Sequence, residues 1–167
     1  PLILKINSSN SLSRNSDAPT QAITGSISEA IRLGCSAIGF TIYPGSDDSL
    51  NMISEIQELA AEAKSYGLAV VVWSYPRGGN ISKEGETAVD IVSYAAHMAA
   101  LIGAHIIKVK PPTEFLEDSN AKKVYIDNNI PISTLKDRIK NVVESCFQGK
   151  RIVIFSGGSS KDIEGLL

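Results

Sequence analysis

The sequence lacks the features that mark several large classes of protein. Its apolar runs are far shorter than the roughly 18 to 20 residues that a membrane span needs, and no signal-peptide pattern is recognisable. Its 16 basic and 18 acidic residues give a formal net charge of -2. No basic field therefore indicates a nucleic-acid or anionic-membrane partner. We expect a globular protein that binds neither nucleic acid nor membranes.

Cysteine is scarce as well. Cys35 and Cys146 are far apart and lack the CxxC or Cys/His spacing of a zinc site or redox motif. Carboxylates cluster on helix exteriors and in residues 114–118 rather than at strand ends, so no metal site is predicted. We expect two packed thiols in a reducing compartment, and hence a cytoplasmic protein.

What the sequence does contain is a regular alternation of apolar runs and helical patterns. Runs rich in Val and Ile predict five strands buried on both faces, at residues 2–6, 37–43, 69–75, 105–110 and 151–158. The helical segments between them end at Gly34, Gly67, Gly103 and Gly149. The candidate N-caps are Thr87 with Asp90 as a capping box, Ser133, and either Ser26 or Ser28.

This βαβα order predicts parallel strands joined by right-handed crossovers, in either a doubly wound sheet or a barrel. The dinucleotide fingerprint GxGxxG is absent after the first strand, which counts against the doubly wound fold. Polar or unusual residues stand at the carboxyl ends of the strands, where barrel enzymes build their sites. They are Asn7, Tyr43, Trp73, Tyr75, Lys108 and Ser156.

A complete barrel needs eight strands and typically ~250 residues, whereas five βα units are visible in 167 residues. We therefore predict a single partial domain over residues 1–167, an incomplete piece of a (β/α)8 TIM barrel with about strands 3 to 7. Residues 111–132 form the longest non-periodic stretch and are predicted to be an inserted loop at the active-site mouth. Open sheet edges are expected near residues 2–6 and 151–155.

Two lysines stand in the fourth apolar run, "HIIKVK". Lys108 and Lys110 are two residues apart, so a strand places both ammonium groups on one face and Ile107 and Val109 on the other. Partial desolvation and a neighbouring cation would both lower the pKa of such an amine. A neutral lysine amine can form a Schiff base with a carbonyl compound. The alternatives are that both lysines are solvated, or that they bind phosphate as plain cations.

The run "VVWSYPRGG" contains further candidate site residues. Trp73 and Tyr75 share a face at the end of a strand, where a tyrosine can act as a general acid or base; the alternative is that both are core residues. Arg77 either binds an anion or lies on the surface. In "FSGGSSK", Ser156, Gly157 and Gly158 precede a predicted helix, and this pattern fits either a phosphate site or an ordinary turn.

Taken together, "PLILKIN", "FTIYPGS", "VVWSYPRGG", "GAHIIKVK" and "FSGG" resemble the archaeal-type class I fructose-bisphosphate aldolases, over the whole chain and in the same order. The resemblance implies that Lys108 is the Schiff-base lysine, Tyr75 the proton donor and acceptor, and Trp73 a residue lining the pocket. It also implies that Ser156, Gly157 and Gly158 bind a substrate phosphate. The family's Asp-His-Gly motif and its final Gly-Arg do not occur in this chain, which corresponds to the region from the third strand to just after the seventh.

The function implied by the resemblance is cleavage of fructose 1,6-bisphosphate to dihydroxyacetone phosphate and glyceraldehyde 3-phosphate in glycolysis or gluconeogenesis. No metal and no cofactor are expected, because the lysine imine itself accepts the electrons. Lys110 and Arg77 are additional candidates for the site, the expected partner is a small sugar phosphate, and a homo-oligomer is expected. Two alternatives stay open: a related lysine aldolase or transaldolase for another ketose phosphate, and a non-catalytic barrel fragment.

Overall fold

The computed structural model describes residues 1–10, 12 and 18–157. The strands are β1 (Ile3–Lys5), β2 (Asn7–Ser8), β3 (Ala22–Ile23), β4 (Ala37–Ile42), β5 (Ala69–Ser74), β6 (Ile106–Val109) and β7 (Ile152–Phe155). The α-helices are α1 (Ile27–Arg32), α2 (Ser49–Ser65), α3 (Val89–Leu101), α4 (Ser119–Asp127) and α5 (Leu135–Ser145). A 3₁₀ turn spans Gly85–Thr87 before α3.

The strands β1, β4, β5, β6 and β7 form one parallel sheet, and they lie side by side in chain order. A doubly wound sheet reverses its strand order at a switch point, whereas a barrel continues in one direction around its axis. The observed order therefore confirms the prediction of a barrel arc. The short strands β2 and β3 pair separately, in an antiparallel arrangement.

The helices cover one face of the sheet. Ile38, Phe40, Val70, Val72, Ile107 and Val109 are fully buried on that face. The buried residues of α2 are Met52, Ile56, Ala60 and Ala63, and this spacing places them along a single helical stripe. The other face, called the inner face below, carries residues that alternate with the buried ones.

The inner face is open in the part of the chain that the structure describes. Ile3, Ile152 and Ile154 have 45%, 62% and 44% of their surface exposed. The sheet also ends in β1 on one side and β7 on the other, and each of these strands pairs with one neighbour in the described residues. The predicted open edges are therefore present at both ends of the arc.

Residues 111–132 differ from the predicted loop. Their middle is the helix α4, which begins at Ser119 and is capped by Asp118. The Asp118 carboxylate accepts hydrogen bonds from the amides of Asn120 and Ala121 at 2.9 and 2.8 Å. The prediction of a loop is wrong for α4, because Asp118 provides a good N-cap for a helix. The sequence did not reveal this helix because its apolar periodicity is weak. That the whole segment is an insertion stays a prediction.

The N-caps are confirmed at one position and wrong at two. Ser26 caps α1 in a capping box with Glu29, as predicted. The residue before α3 is Ala88, which has no side-chain cap, so Thr87 does not form the expected box. The cap of α5 is Thr134, one residue beyond the predicted Ser133, and its capping-box partner is an aspartate.

Candidate active site

One row of residues crosses the inner face of the sheet. Parallel pairing places Thr41 opposite Trp73, and Trp73 opposite Lys108. Lys108 is partly buried, while its neighbours Ile107 and Val109 are fully buried on the helix-covered face. The alternation predicted from the sequence is therefore present, and Lys108 faces the axis side of the arc.

Three lysines of the described residues lie on the inner face, and they differ in their partners. Lys5 pairs in register with Gly39, and its ammonium donates hydrogen bonds to the backbone oxygen and Oδ1 of Asn7 and to Oε1 of Gln21. Burial lowers the pKa of Lys5 from its ordinary value. Lys110 is paired with a carboxylate. Lys108 has no hydrogen-bond or ion-pair partner within residues 1–10, 12 and 18–157.

The partner of Lys110 is Glu86, which also binds a second lysine. Glu86 Oε2 lies 3.0 Å from Lys110 Nζ, and its Oε1 lies 2.9 Å from Lys83 Nζ. Burial on its own raises the pKa of Glu86, but the hydrogen bonds and charges of the two lysines bring it below its ordinary value. Glu86 is therefore a carboxylate that bridges two ammonium groups.

This ion pair lines a cleft of about 520 Å³ at the carboxyl ends of β5, β6 and β7. Its other lining residues include Tyr75, Arg77, Ser156 and Gly157. The volume lies within the range of small-molecule sites. Gly157 has a φ of 92°, the left-handed conformation that favours glycine. Gly158, the third residue predicted for the phosphate turn, lies outside the described residues.

Trp73 and Lys108 do not line this cleft; they lie one strand repeat below it, about 6.6 Å toward the other end of the sheet. The space for the indole ring is provided by Gly39 on the neighbouring strand. A Cβ atom on Gly39 would lie 2.7 Å from Trp73 Cη2, closer than real side chains approach. Trp73 thus covers the sheet beside Lys108.

Arg77 lies between two tyrosines. Its guanidinium carbon is 5.7 Å from the ring centre of Tyr43 and 5.7 Å from that of Tyr75, within cation–π range of both. The hydroxyl of Tyr43 accepts a hydrogen bond from Nε2 of Gln21 at 2.7 Å. Because Gln21 also accepts from Lys5, these contacts connect the first strand of the sheet with the residues around Tyr75.

Two loops beside the cleft are bound to each other. Glu117 accepts hydrogen bonds from the amide and the hydroxyl of Ser82, both at 2.7 Å. The amide of Thr113 donates to the Thr87 oxygen at 2.8 Å. On α3, Asp90 accepts from the amides of Glu117 and Asp118 at 3.2 and 2.9 Å. We call residues 82–87 and 111–118 the paired loops.

Sequence reasoning missed Glu86 and Lys5, and it named Asn7 only as one of the polar residues at strand ends. Nothing in the local pattern marks Glu86, because its partner is 24 residues away in the chain. Lys5 is a polar residue in an apolar run, the same signal that singled out Lys108. Asn7 is fully buried, and its amide exchanges two hydrogen bonds of 2.8 Å with the backbone of Thr41, so its role is to extend the sheet.

The described residues contain neither a candidate metal site nor a candidate membrane-spanning helix. No group of three or more His, Cys, Asp or Glu side chains within them is placed to hold a metal ion. None of the helices within them combines the length and the apolar content that crossing a bilayer requires.

The chain is similar to proteins of known activity. It is 44% identical over 110 residues to the class 1 fructose-bisphosphate aldolase of Thermoproteus tenax, a match that covers 66% of this chain and 40% of that protein. It is 33% identical to a probable class 1 fructose-bisphosphate aldolase of Chlamydia muridarum, over 96% of this chain and 48% of that protein. The chain therefore spans about half the length of the curated relatives it matches, or less.

The solved structures that resemble this chain include fructose-bisphosphate aldolases as well. A crystal structure of an archaeal fructose 1,6-bisphosphate aldolase superposes with a TM-score of 0.77 and 34% identity, over 99% of this chain and 55% of that one. A second structure, at a TM-score of 0.74 and 32% identity, has the same two shares and shows such an aldolase with its catalytic Lys covalently bound to the carbinolamine intermediate of the substrate. The fold is thus an arc of a TIM barrel. The model of the DeoC/LacD family aldolases matches residues 1–166, and the chain belongs to this family.

Proposed function

We propose that the full-length gene product is a Schiff-base, class I fructose-bisphosphate aldolase in which Lys108 is the covalent residue. The reaction is cleavage of fructose 1,6-bisphosphate to dihydroxyacetone phosphate and glyceraldehyde 3-phosphate. The observation that carries the proposal is the difference among the three inner-face lysines. Lys5 and Lys110 are held by acceptors, whereas Lys108 has no partner in the described residues.

An unpartnered amine on a partly buried face is suited to nucleophilic attack. Lys108 Nζ adds to the C2 carbonyl, and loss of water gives an iminium ion. Removal of the C4 hydroxyl proton turns C4 into the aldehyde carbon of glyceraldehyde 3-phosphate, which leaves as the C3–C4 bond breaks. The electron pair of that bond moves into the iminium to form an enamine. Protonation of C3 and hydrolysis then release dihydroxyacetone phosphate and restore the amine. No metal or cofactor is needed in this sequence, because the iminium nitrogen accepts the electrons.

The neighbouring strand supplies the groups that this chemistry requires. Trp73 stands opposite Lys108 in the sheet register, where it excludes water from the imine. Tyr75 lies on the same face one repeat further, and it lines the cleft; we assign it the proton transfers. The guanidinium of Arg77 lies over its ring and adds positive charge to the cleft.

The phosphate of the substrate is assigned to the end of β7. Ser156 and Gly157 line the cleft together with Arg77 and Lys110, and the sequence resemblance adds Gly158 to the residues proposed to bind phosphate. A glycine turn leaves backbone amides free to approach an anion closely. We also propose that the protein is cytoplasmic, because Cys35 and Cys146 are buried free thiols, and that it forms a homo-oligomer.

A second candidate substrate has a specific observation behind it. A relative in Methanocaldococcus jannaschii, 35% identical over 117 residues, is a fructose-bisphosphate aldolase/6-deoxy-5-ketofructose 1-phosphate synthase. Another ketose phosphate would use the same lysine imine, so a panel of ketose phosphates decides between the two substrates. A chain that forms no imine with any of them would instead be a non-catalytic barrel piece.

The proposal is tested by borohydride trapping of the full-length gene product with dihydroxyacetone phosphate, followed by peptide mapping. We expect the reduced adduct on Lys108, its loss in Lys108→Met, and its retention in Lys5→Met. Tyr75→Phe should still form the adduct but cleave fructose 1,6-bisphosphate about 100-fold more slowly, because imine formation and bond scission need different groups. An adduct on Lys5 or Lys110, or none at all, would contradict the assignment.

A further inference from the structure

The buried part of the cleft contains a carboxylate that the aldol chemistry above does not use. Glu86 has 13% of its side chain exposed and Lys110 has 20%, so their ion pair is largely removed from water. The second lysine, Lys83, is 88% exposed and contributes less, because solvent screens its charge. Of the two ion pairs that Glu86 forms, the one with Lys110 is therefore the better shielded from solvent.

Lys110 stands directly beside the candidate phosphate turn. Val109 pairs with Phe155 in the sheet register, and the amide of Ser156 donates to the Val109 oxygen at 3.1 Å. The next residue on each strand is thus Lys110 on β6 and Ser156 on β7, and both line the same cleft with Gly157. A lysine held at this place can reach an anion bound at the turn.

We infer that Glu86 is a positioning residue that holds Lys110 beside Ser156 and Gly157, and that Lys110 is the side-chain ligand of the substrate's phosphate group. This inference rests on the proposed aldolase function and deepens it. A free lysine side chain loses much rotamer entropy when it is fixed on a ligand. A lysine already fixed by a carboxylate has lost that entropy before the phosphate arrives, so its contact with phosphate is stronger.

The charge of the cleft agrees with an anionic ligand. Its lining contains three cations, Arg77, Lys83 and Lys110, and one anion, Glu86, a net charge of +2 in the described residues. The bridging carboxylate also lets Lys83 and Lys110 stand close together, because it offsets their mutual repulsion. The cleft therefore keeps a positive charge while its lysines stay ordered.

The paired loops fix Glu86 from the backbone. Thr87, the residue after Glu86, accepts the amide of Thr113 and also the Thr113 hydroxyl. Gly85, the residue before it, packs so closely on Glu117 that an added Cβ would lie 2.6 Å from the carboxyl carbon. The position of Glu86 is thus set on both sides by the segment that follows Lys110 in the chain.

The test compares phosphorylated and unphosphorylated substrates of the full-length gene product. For dihydroxyacetone phosphate, we expect Lys110→Met and Glu86→Gln to raise KM roughly 10- to 100-fold with little change in kcat, the loss of one charge-assisted contact. For dihydroxyacetone, which has no phosphate, KM should stay within about twofold in both variants. Lys110→Arg should recover most of the loss, because it keeps the charge. Lys140→Met is the matched control, since Lys140 is 70% exposed in a surface pair with Glu144.

Each result supports the inference or overturns it. Equal losses with both substrates would show a merely structural role for Glu86 and Lys110. Tighter binding of dihydroxyacetone phosphate in Glu86→Gln would show that the carboxylate competes with phosphate rather than positioning its ligand. If wild-type protein forms no Lys108 adduct with either ketone, the aldolase proposal itself fails. If the adduct forms and Lys110→Met changes nothing, only the phosphate assignment fails.

Discussion

The contact between Gly39 and Trp73 gives the most direct test of how the sheet builds its site. The substitution Gly39→Ala adds one methyl group on the inner face, at 2.7 Å from Cη2 of the indole ring. Gly39 lies inside the regular strand β4 and is not among the residues with positive φ. An alanine is therefore compatible with the backbone, and the steric contact with the ring is the main perturbation.

Two opposing effects determine the change in stability. Overpacking costs about 1 to 3 kcal/mol when a ring has to move. Replacing a strand glycine by alanine returns about 0.5 to 1 kcal/mol, because the unfolded chain is less flexible. We expect a net loss of about 0 to 2.5 kcal/mol in the free energy of unfolding. Trp73 is only partly buried within the described residues, so we expect the ring rather than the strand to move.

The displacement is measurable because Trp73 is the single tryptophan of the sequence. We expect a shift of the fluorescence maximum, and a reduced rate of imine trapping at Lys108 in the full-length gene product. The double variant Gly39→Ala/Trp73→Phe should be more stable than the sum of the single changes, since the smaller ring leaves space for the methyl group. Additive urea midpoints and an unchanged emission spectrum of Gly39→Ala would refute the reasoning.

Two further predictions concern stability. Burial, followed by the charges of Lys64 and Arg151, lowers the pKa of His105 from its ordinary 6.5. The unfolded chain therefore binds this proton more readily than the folded chain does. The contribution of His105 to stability should be fully present above pH 6.5 and should be lost as the pH falls through the lowered pKa of the folded state. His105→Asn, which keeps an acceptor but does not titrate, should flatten the decrease in urea midpoint between about pH 8 and pH 5, and an unchanged slope would contradict it. Thr134→Ala should cost about 1 kcal/mol through loss of the cap of α5, whereas Ser133→Ala should have almost no effect; the reverse order in urea unfolding would exclude the observed cap.

Periodicity was a sufficient guide to the sheet. The five predicted strands are β1, β4, β5, β6 and β7, with ends that differ by at most three residues. The buried strands could be recognised because both of their faces, one under helices and one toward the barrel axis, favour Val and Ile. The helix α4 could not, because no residue in it is buried. Its stability comes from the Asp118 cap, and one capping residue is a weak signal in a polar stretch.

The candidate site also contains features that local sequence patterns predict and features that depend on contacts between distant segments. The face of Lys108 follows from the period of a strand and was therefore accessible from the sequence, whereas its register opposite Trp73 was not predicted. The partner of Lys110 was not, because Glu86 comes from a 3₁₀ turn whose position depends on contacts with residues 113–117. Local sequence patterns carry no signal of such a contact between distant segments.

The paired loops have a mechanical consequence. Glu117 is bound to Ser82, and Asp90 on α3 is bound to the start of α4. A displacement of α4 must therefore either break these hydrogen bonds or move the 3₁₀ turn that contains Glu86. Residues 111–118, which follow Lys110 in the chain, thus influence the position of Lys110 through their contacts with residues 82–87. Lys110 is therefore held by a series of contacts that begins and ends in the same segment of the chain. Loss of any one of these contacts should give the Lys110 ammonium group more freedom to move.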